Sequence, residues 1–148
     1  MMKPISLIDL EFYLGCKSTK DLIPIYYYEV FDKKYYEKTL YVGHIGSSCI
    51  FKPDGSMDTR RSLCAESRWY GSFPYGVEYD PTTKTFGDIQ KLPYYEGEIE
   101  RVGKHVRLWF KDPDEHKAKQ LLTDYYEAKL KKVNKRRGKL LAILAELE

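Results

Sequence analysis

The chain has 148 residues, of which 43% are hydrophobic and 32% charged, and its net charge is +3. This length and balance predict one soluble globular domain over residues 1–148 and exclude the low hydrophobicity or one-sided charge of a disordered chain. The first apolar run, ISLIDLEFYLG, is interrupted by Asp9 and Glu11, which is not typical of a signal peptide or a membrane span. We therefore expect a cytoplasmic protein that does not bind a membrane.

The first predicted element is a short helix in SLIDLEFYLG that ends at Gly15, since glycine accepts the left-handed conformation of a helix C-terminus. A strand is the alternative. Two runs rich in tyrosine, valine and isoleucine follow at residues 22–31 and 38–45, a composition that favours strands. Residues 32–37, DKKYYE, predict a hairpin loop between them, so the two strands should be neighbours in one sheet.

The middle of the chain predicts a turn, a helix and a hairpin. PDGS at residues 53–56 is a turn sequence, and Asp58 would cap a short helix over TRRSLCAESRW, residues 59–69. The segments YGVEY and KTFGDI flank the turn DPTT and predict a hairpin. In the first of these strands, alternation places Tyr75, Val77 and Tyr79 on one face, where we expect them to belong to the core.

A further hairpin is predicted in EIERVGKHVRLWF, residues 98–110, with Gly103 and Lys104 as a two-residue turn. That turn would place Arg101 opposite Val106. It would also place Glu100 opposite Arg107, and Ile99 opposite Leu108. The ion pair and the apolar pair both favour this register.

The C-terminal region predicts a long helix. Asp112 can cap its first amides, Pro113 fits the first helical position, and Glu115 has the spacing of a capping box. Apolar residues then recur at intervals of three or four, with an interruption near Arg137. They are Ala118, Leu122, Tyr126, Leu130, Val133, Leu140, Leu144 and Leu147. Gly138 leaves two alternatives open, a continuous helix or a helix that ends there.

These elements predict an α+β fold: a small antiparallel β-sheet of hairpins with a short N-terminal helix and a long basic C-terminal helix. Within the single domain, residues 1–111 form a mainly β body and residues 112–148 the helical segment. An unbroken helix would be about 50 Å long at 1.5 Å per residue. Its last segment, LLAILAEL, would then either pack on a partner helix, for example in a homodimer, or fold back on its own sheet.

Charge is distributed unevenly along the chain. Residues 101–148 contain 13 Lys and Arg against 7 Asp and Glu, whereas residues 1–100 contain 12 against 15. Seven of the eleven residues from 129 to 139 are basic and none is acidic. A basic helix of this kind is typical of contact with nucleic-acid phosphates, although an ordinary solvated helix face is the alternative.

Arginines and aromatic residues are also concentrated around residues 60–75, where rings could stack on unpaired bases or anchor a protein interface. The alternative is that the aromatic residues form the core. The residues predicted to bind nucleic acid or a partner are Arg60, Arg61, Arg68, Trp69, Tyr70, Phe73, Lys131, Lys132, Lys135, Arg136 and Arg137.

Motifs for catalysis are missing from the sequence. It contains no phosphate-binding glycine loop, no G-x-S-x-G and no H-E-x-x-H, and its three cysteines and three histidines are scattered. We therefore predict no catalytic residue, no metal and no cofactor, and favour a non-catalytic protein.

Residues 24–48, PIYYYEVFDKKYYEKTLYVGHIGSS, resemble the paired strands of the GIY-YIG nucleases, with residues 24–26 at the first motif and 41–43 at the second. The resemblance implies that Tyr26 and Tyr41 help to activate water, that Arg60 or Arg61 on the next helix contacts phosphate, and that a later glutamate holds a divalent metal. Pro24 replaces the first glycine of the motif, and no helix with that glutamate is predicted. The resemblance therefore implies a degenerate or divergent nuclease.

A β-rich body followed by residues 106–132 and a basic terminal helix resembles small accessory proteins of Gram-positive phages and prophages, over the C-terminal third of the chain. Some such proteins inhibit host defence systems. The resemblance implies a non-catalytic interaction protein, an inhibitor-type binder of a host protein, of a nucleic-acid-handling defence complex, or of nucleic acid itself. Two alternatives stay open: a small-ligand or nucleotide-sequestering protein, which would need a closed pocket, and the nuclease.

Overall fold

The computed structural model describes residues 6–63, 66–67, 71–72 and 74–147. The contacts divide the chain into two units, Met1–Asp114 and Glu115–Glu148. The described part of the first unit contains a short helix and ten strands, and that of the second is one long helix. The fold is α+β, as the sequence predicts.

The N-terminal helix, α1, spans Leu7–Leu14 and has a cap at each end. The Ser6 hydroxyl accepts a hydrogen bond from the backbone N–H of Asp9. Gly15 adopts the left-handed conformation with φ 67° and donates its N–H to the carbonyl of Glu11. The predicted helix and its end at Gly15 are confirmed, and the alternative of a strand is wrong. A 3-10 turn at Thr19–Asp21 follows.

Six of the ten strands form one antiparallel sheet in the order β8-β7-β2-β1-β10-β9. In this order β1 lies between β2 and β10, and β10 lies between β1 and β9. The pairs β3–β4 and β5–β6 form two separate two-stranded sheets. The strands are β1 (Ile23–Phe31), β2 (Lys34–Val42), β3 (Ile45–Phe51), β4 (Met57–Leu63), β5 (Glu66–Ser67), β6 (Gly71–Ser72), β7 (Tyr75–Asp80), β8 (Thr85–Lys91), β9 (Glu100–Val102) and β10 (His105–Phe110).

The strands β1 and β2 are neighbours, as predicted, but the connection between them is shorter than predicted. It consists of Asp32 and Lys33, whose φ values of 49° and 66° are those of a tight two-residue hairpin turn. The remaining residues of the predicted loop, 34–37, continue β2. The longer loop was wrong because an exposed strand face accepts polar residues at alternate positions.

The predicted helix over residues 59–69 is wrong, because Met57–Leu63 is a strand paired with β3 and Glu66–Ser67 is a strand as well. The turn before β4 is closed by Asp54, whose carboxylate accepts hydrogen bonds from the backbone N–H and the hydroxyl of Ser56. Asp58, the predicted cap, lies instead within β4. A D-G turn between two runs is a hairpin signal, and it prevails over the capping pattern here.

The two later hairpins are confirmed. Tyr75–Asp80 and Thr85–Lys91 pair around residues 81–84. In the β9–β10 hairpin, Arg101 lies opposite Val106 and Glu100 opposite Arg107. This is the register that a turn at Gly103 and Lys104 predicts. The predicted pair of Ile99 with Leu108 lies beyond Glu100, the first residue of β9, and is not among the pairs of this hairpin.

The core of the first unit contains two clusters of buried side chains. The first contains residues of β1, β2, β4 and β10 together with Leu92, which follows β8. It consists of Ile25, Tyr27, Leu40, Val42, Leu63, Leu92 and Trp109. The second lies between α1 and the strands β7 and β8 and consists of Leu10, Leu14, Cys16, Val77 and Phe86.

Partly buried tyrosines complete the second cluster. Tyr75 and Tyr79 pack against it, so the prediction that these residues and Val77 belong to the core is confirmed. The ring of Tyr79 stacks on Phe86 at 4.7 Å and meets Tyr41 edge-on at 5.6 Å. Much of the aromatic content therefore serves packing rather than an exposed surface.

The second unit consists of α2, Glu115–Glu146, which continues through Gly138 without a break. The continuous alternative is therefore confirmed. The helix begins at Glu115, later than the predicted cap at Asp112 implies. Ala118 and Leu122 are its buried residues. No helix in the described ranges is both long and apolar enough to cross a membrane.

Candidate partner-binding surfaces

The distal part of α2 exposes a row of large apolar side chains, which we name the α2 stripe. Their exposed fractions range from 39% to 77%. The α2 stripe consists of Tyr126, Leu130, Val133, Leu140, Leu144 and Leu147. At about 100° per residue these positions fall on one side of the helix, and the exposed Leu141 and Ile143 widen that side near the C-terminus.

Six large exposed apolar side chains along one side of a helix, interrupted at Arg137, are unusual on a protein surface. Large exposed apolar patches rimmed by polar residues mark interaction sites. Full burial of a leucine or valine side chain contributes about 1.5–3 kcal/mol. A partner that covered this row would therefore gain several kilocalories per mole.

The predicted cations of the C-terminal region lie beside the α2 stripe. We name Lys131, Lys132, Lys135, Arg136 and Arg137 the basic run; all five are exposed. Within the described part of the chain, no ion pair or hydrogen bond is recorded for their side chains. Lys129 differs, since its ammonium lies 5.3 Å from the ring centre of Tyr125.

The basic run surrounds the helix rather than forming a single stripe. Lys131 and Lys135 lie on the side opposite the α2 stripe, whereas Arg137 lies within it, in the gap between Val133 and Leu140. The positive charge is thus available both to phosphates on one side and to a partner that covers the apolar row on the other.

The predicted arginines of β4 are neutralised by acidic neighbours. Arg60 lies 3.2 Å from a carboxylate oxygen of Asp58 and 3.4 Å from one of Glu98, and its guanidinium lies 5.6 Å from the ring centre of Tyr95. Arg61 lies 3.8 Å from a carboxylate oxygen of Glu96. Such half-exposed pairs contribute about 0–1 kcal/mol each. They leave little net positive charge on this hairpin.

The remaining predicted residues, Arg68, Trp69, Tyr70 and Phe73, lie outside the described residues. Their participation in binding stays a prediction. The structure thus places the eleven predicted residues in three groups: acid-paired arginines on β4, these four, and the unpaired basic run on α2.

A polar cluster with a buried carboxylate at its centre joins β1 and β10. Its Glu100–Arg107 ion pair is the one that the sequence predicts, whereas the contacts of Glu29 were not predicted. The carboxylate of Glu29 accepts a hydrogen bond from the hydroxyl of Tyr27 and lies 3.0 Å from Nδ1 of His105. Glu29 lies directly opposite Arg107, whose Nη2 donates to Glu100 at 3.1 Å. Glu29 and Arg107 are 7% and 8% exposed. The cluster therefore joins β1, β10 and β9 by charge as well as by backbone pairing.

Burial shifts the pKa of one group in this cluster, the Tyr27 hydroxyl. It raises the pKa of the Tyr27 hydroxyl well above its usual range, and the hydrogen bond to Glu29 and the negative charge of Glu29 raise it further. The His105 ring stacks on Phe31 at 4.1 Å, which holds the imidazole in place beside Glu29. Nε of Arg107 is buried without a recorded hydrogen-bond partner in the described structure.

Among the described residues, no three His, Cys, Asp or Glu side chains lie close enough together to hold a metal ion. The signal that could have revealed the cluster is the alternation of Tyr27, Glu29 and Phe31 on one strand with His105 and Arg107 on another. That signal becomes readable only when β1 and β10 are known to be neighbours.

The strand pair that resembles the GIY-YIG nucleases is present, with Pro24 opposite Tyr41. The arginine implied on the next helix is not, since Arg60 and Arg61 lie on a strand. Gly43 has a packing reason: a Cβ there would lie 1.7 Å from the carbonyl oxygen of Leu14 at the end of α1. Comparison of the chain with protein-family models, curated proteins and solved structures gave no match.

Proposed function

We propose that this chain is a non-catalytic interaction protein that uses α2 to bind a host nucleic-acid-handling complex, or nucleic acid itself. The observation that carries the proposal is that α2 exposes an apolar row and an unpaired basic run on the same stretch of helix. Apolar surface supplies affinity for a protein, and unpaired cations attract phosphates or acidic side chains.

Two other sets of charged residues support this assignment by contrast. The arginines of β4 already have carboxylate partners, and the cluster around Glu29 is buried within the sheet. In both arrangements the charged side chains already have partners within the first unit, whereas the cations of the basic run are available to a binding partner.

The biological role in the proposal is that of an inhibitor-type binder of a host defence complex, acting in the host cytoplasm. Its support is the resemblance of the C-terminal third of the chain to small phage and prophage proteins. An inhibitor of this type needs no catalytic group, because occupying a nucleic-acid channel is sufficient.

The proposal predicts a strong salt dependence of nucleic-acid binding. Each cation that neutralises a phosphate releases counterions, so the four cations of the basic run outside the α2 stripe give a slope of log affinity against log salt of about −3.6 on duplex DNA. Between about 50 and 200 mM salt the affinity should fall by roughly two to three powers of ten.

The test compares two triple variants with the same change in net charge. In the first, Lys131, Lys132 and Lys135 are replaced by Gln; in the second, the exposed Lys17, Lys34 and Lys91 are replaced by Gln. We expect the first variant to lose about three units of salt slope in fluorescence anisotropy with labelled DNA, and the second to retain the wild-type slope.

A pull-down from host lysate, with and without nuclease treatment, separates the two kinds of target. A complex that survives nuclease and is lost in the first triple variant supports a protein target. Binding of bare nucleic acid alone supports the second. Equal losses in both variants, or no binding in either assay, would contradict the proposal.

A further inference from the structure

We infer that the α2 stripe binds a partner helix that has acidic flanks and places a carboxylate opposite Arg137. The inference rests on the proposed function, because it specifies the protein surface that α2 recognises. It follows from the spacing of the exposed residues on α2 and from the charges between and beside them.

The exposed residues have the spacing of a coiled-coil seam. Tyr126, Val133, Leu140 and Leu147 are separated by seven residues each. A second row with the same separation, Leu130, Arg137 and Leu144, lies four residues after the first. Alternating steps of four and three over three heptads are the pattern by which one helix inserts its side chains between those of another. The seam is about 31 Å long at 1.5 Å per residue.

Arg137 determines the chemistry of the partner. It occupies a seam position between Val133 and Leu140, where a covering helix would remove its guanidinium from water. A buried charge needs an oppositely charged group with good hydrogen-bond geometry. The partner must therefore supply a carboxylate at the facing seam position.

The cations at one edge of the seam select in the same direction. Lys129 and Arg136 lie at that edge, whereas Glu127, Asn134 and Leu141 lie at the other, and the chain has no acidic residue from 128 to 145. Charges beside a coiled-coil seam set the choice of partner through attraction and repulsion. Glutamate or aspartate on the flanks of the partner helix would complement these cations.

A second copy of the chain fits this surface poorly. In a parallel pair, Arg137 would face Arg137. In an antiparallel pair, Glu127 can reach Arg137 only if the two basic runs oppose each other. Glu146 can reach Arg137 only if the overlap of the two helices is limited to residues 137–146, which leaves the first half of the α2 stripe uncovered. Nucleic acid would neutralise the cations but would leave the apolar row exposed, since phosphates carry most of its contacts.

The test uses the full chain and a synthetic helical peptide of about four heptads with leucine along its seam, one glutamate at the seam position facing Arg137, and glutamate on its flanks. The control peptide has leucine at that seam position and lysine on its flanks. By isothermal titration calorimetry, we expect the acidic peptide to bind at least tenfold more tightly than the control. The Arg137→Glu variant should lose at least tenfold in affinity for the acidic peptide.

The matched control is Arg101→Glu, which makes the same charge change at an exposed position of β9 and should leave peptide affinity unchanged. Circular dichroism verifies that both variants keep the helix content of the wild type. Equal binding of the two peptides, or no loss in Arg137→Glu, overturns the inference. So does a wild-type dimer in sedimentation that excludes the acidic peptide.

The outcomes also separate the inference from the proposed function. If the acidic peptide does not bind while salt-dependent binding to nucleic acid or to a host complex depends on the basic run, the inference fails and the proposed function stands. If the chain binds none of these, both fail.

Discussion

The carboxylate of Glu29 shows how a buried charge is tolerated in the sheet. It has a phenol hydroxyl on one side, an imidazole on the other and a guanidinium on the facing strand. Removal of one partner from a buried charged network costs about 3–5 kcal/mol when a charge is left unpaired, and less when a neutral partner is lost. Tyr27 is the neutral partner, which makes it the more informative residue to change.

We predict that Tyr27→Phe lowers the free energy of unfolding by about 1–2 kcal/mol near neutral pH. Because the folded-state pKa of Tyr27 is raised, its contribution to stability is complete below the unfolded pKa of about 10 and is lost as the pH rises above that value. The difference between wild type and variant should therefore narrow by about 1 kcal/mol between about pH 10 and pH 11. Urea unfolding at several pH values measures it, and a constant difference would contradict the prediction.

Gly43 is predicted to tolerate no side chain. A Cβ at this position would lie 1.7 Å from the carbonyl oxygen of Leu14, a backbone atom that cannot move without shifting the end of α1. We expect Gly43→Ala to destabilise the first unit by about 3 kcal/mol or more. Thermal unfolding of Gly43→Ala beside Gly138→Ala, which has open space around its Cβ, provides the comparison. A melting temperature equal to that of the wild type would refute the packing argument.

At the scale of elements, α2 continues through Gly138 because the residues around it do not favour a helix end. Lys139 and Leu140 are good helix formers, and the glycine keeps helical geometry at a cost of about 1 kcal/mol relative to alanine. A glycine after three basic residues is therefore compatible with both a helix end and a helix interior. The residues that follow decide between them.

We predict that Gly138→Ala stabilises α2 by about 0.5–1 kcal/mol and increases its helix content. Far-ultraviolet circular dichroism and amide exchange of residues near 138 measure the change. Gly138→Pro should have the opposite effect and interrupt the helix. If Gly138→Ala left exchange unchanged, the helix would already be stabilised there by contacts other than its own backbone.

Local patterns made three of the hairpins predictable. Turn residues indicated two of them, Gly103 with Lys104 and the DPTT sequence. The third was indicated by the tyrosine-rich strand runs on either side of residues 32–37, although its turn is shorter than predicted. The β3–β4 hairpin was missed because Asp58 and the following residues also match a helix start, and local patterns alone do not decide between the two. The pairing that settles it, Arg60 with Ser48, is a contact between strands.

The candidate surfaces were predictable in part for the same reason. The apolar spacing and basic run of α2 are local patterns, and the structure retains them. Arg60 has a local partner in Asp58, two residues away, but its second partner, Glu98, is 38 residues away in the chain, and no local pattern predicts that contact. The cluster around Glu29 likewise requires knowledge of which strands are neighbours.

At the scale of the whole molecule, stability should be distributed unevenly. The strands β1 and β10 lie inside the sheet and contain the fully buried Ile25, Leu108 and Trp109. All large apolar side chains of α2 from Tyr126 to Leu147 are exposed. An isolated helix of that length is marginally stable in water, since most helical stability comes from packing.

We therefore predict that amides of β1 and β10 exchange with solvent only through global unfolding, whereas amides of residues 129–147 exchange several orders of magnitude faster. Hydrogen exchange followed by mass spectrometry provides the measurement, and addition of a bound partner should slow exchange in α2. Equal protection of β1 and distal α2 in the free protein would show that the α2 stripe is already covered in solution.

The position of β10 beside β1 has a consequence for how the chain folds. The hairpins β1–β2 and β9–β10 close over two-residue turns, so each can form within microseconds. The contact of His105 with Glu29 spans 76 residues and must wait until the intervening chain has come together. Long-range pairing of this kind slows folding, because the entropy of closing the loop is lost before native contacts compensate for it. The docking of the β9–β10 hairpin onto β1 should therefore limit the folding rate, and substitutions that weaken the β1–β10 contacts should slow refolding more than substitutions in α2.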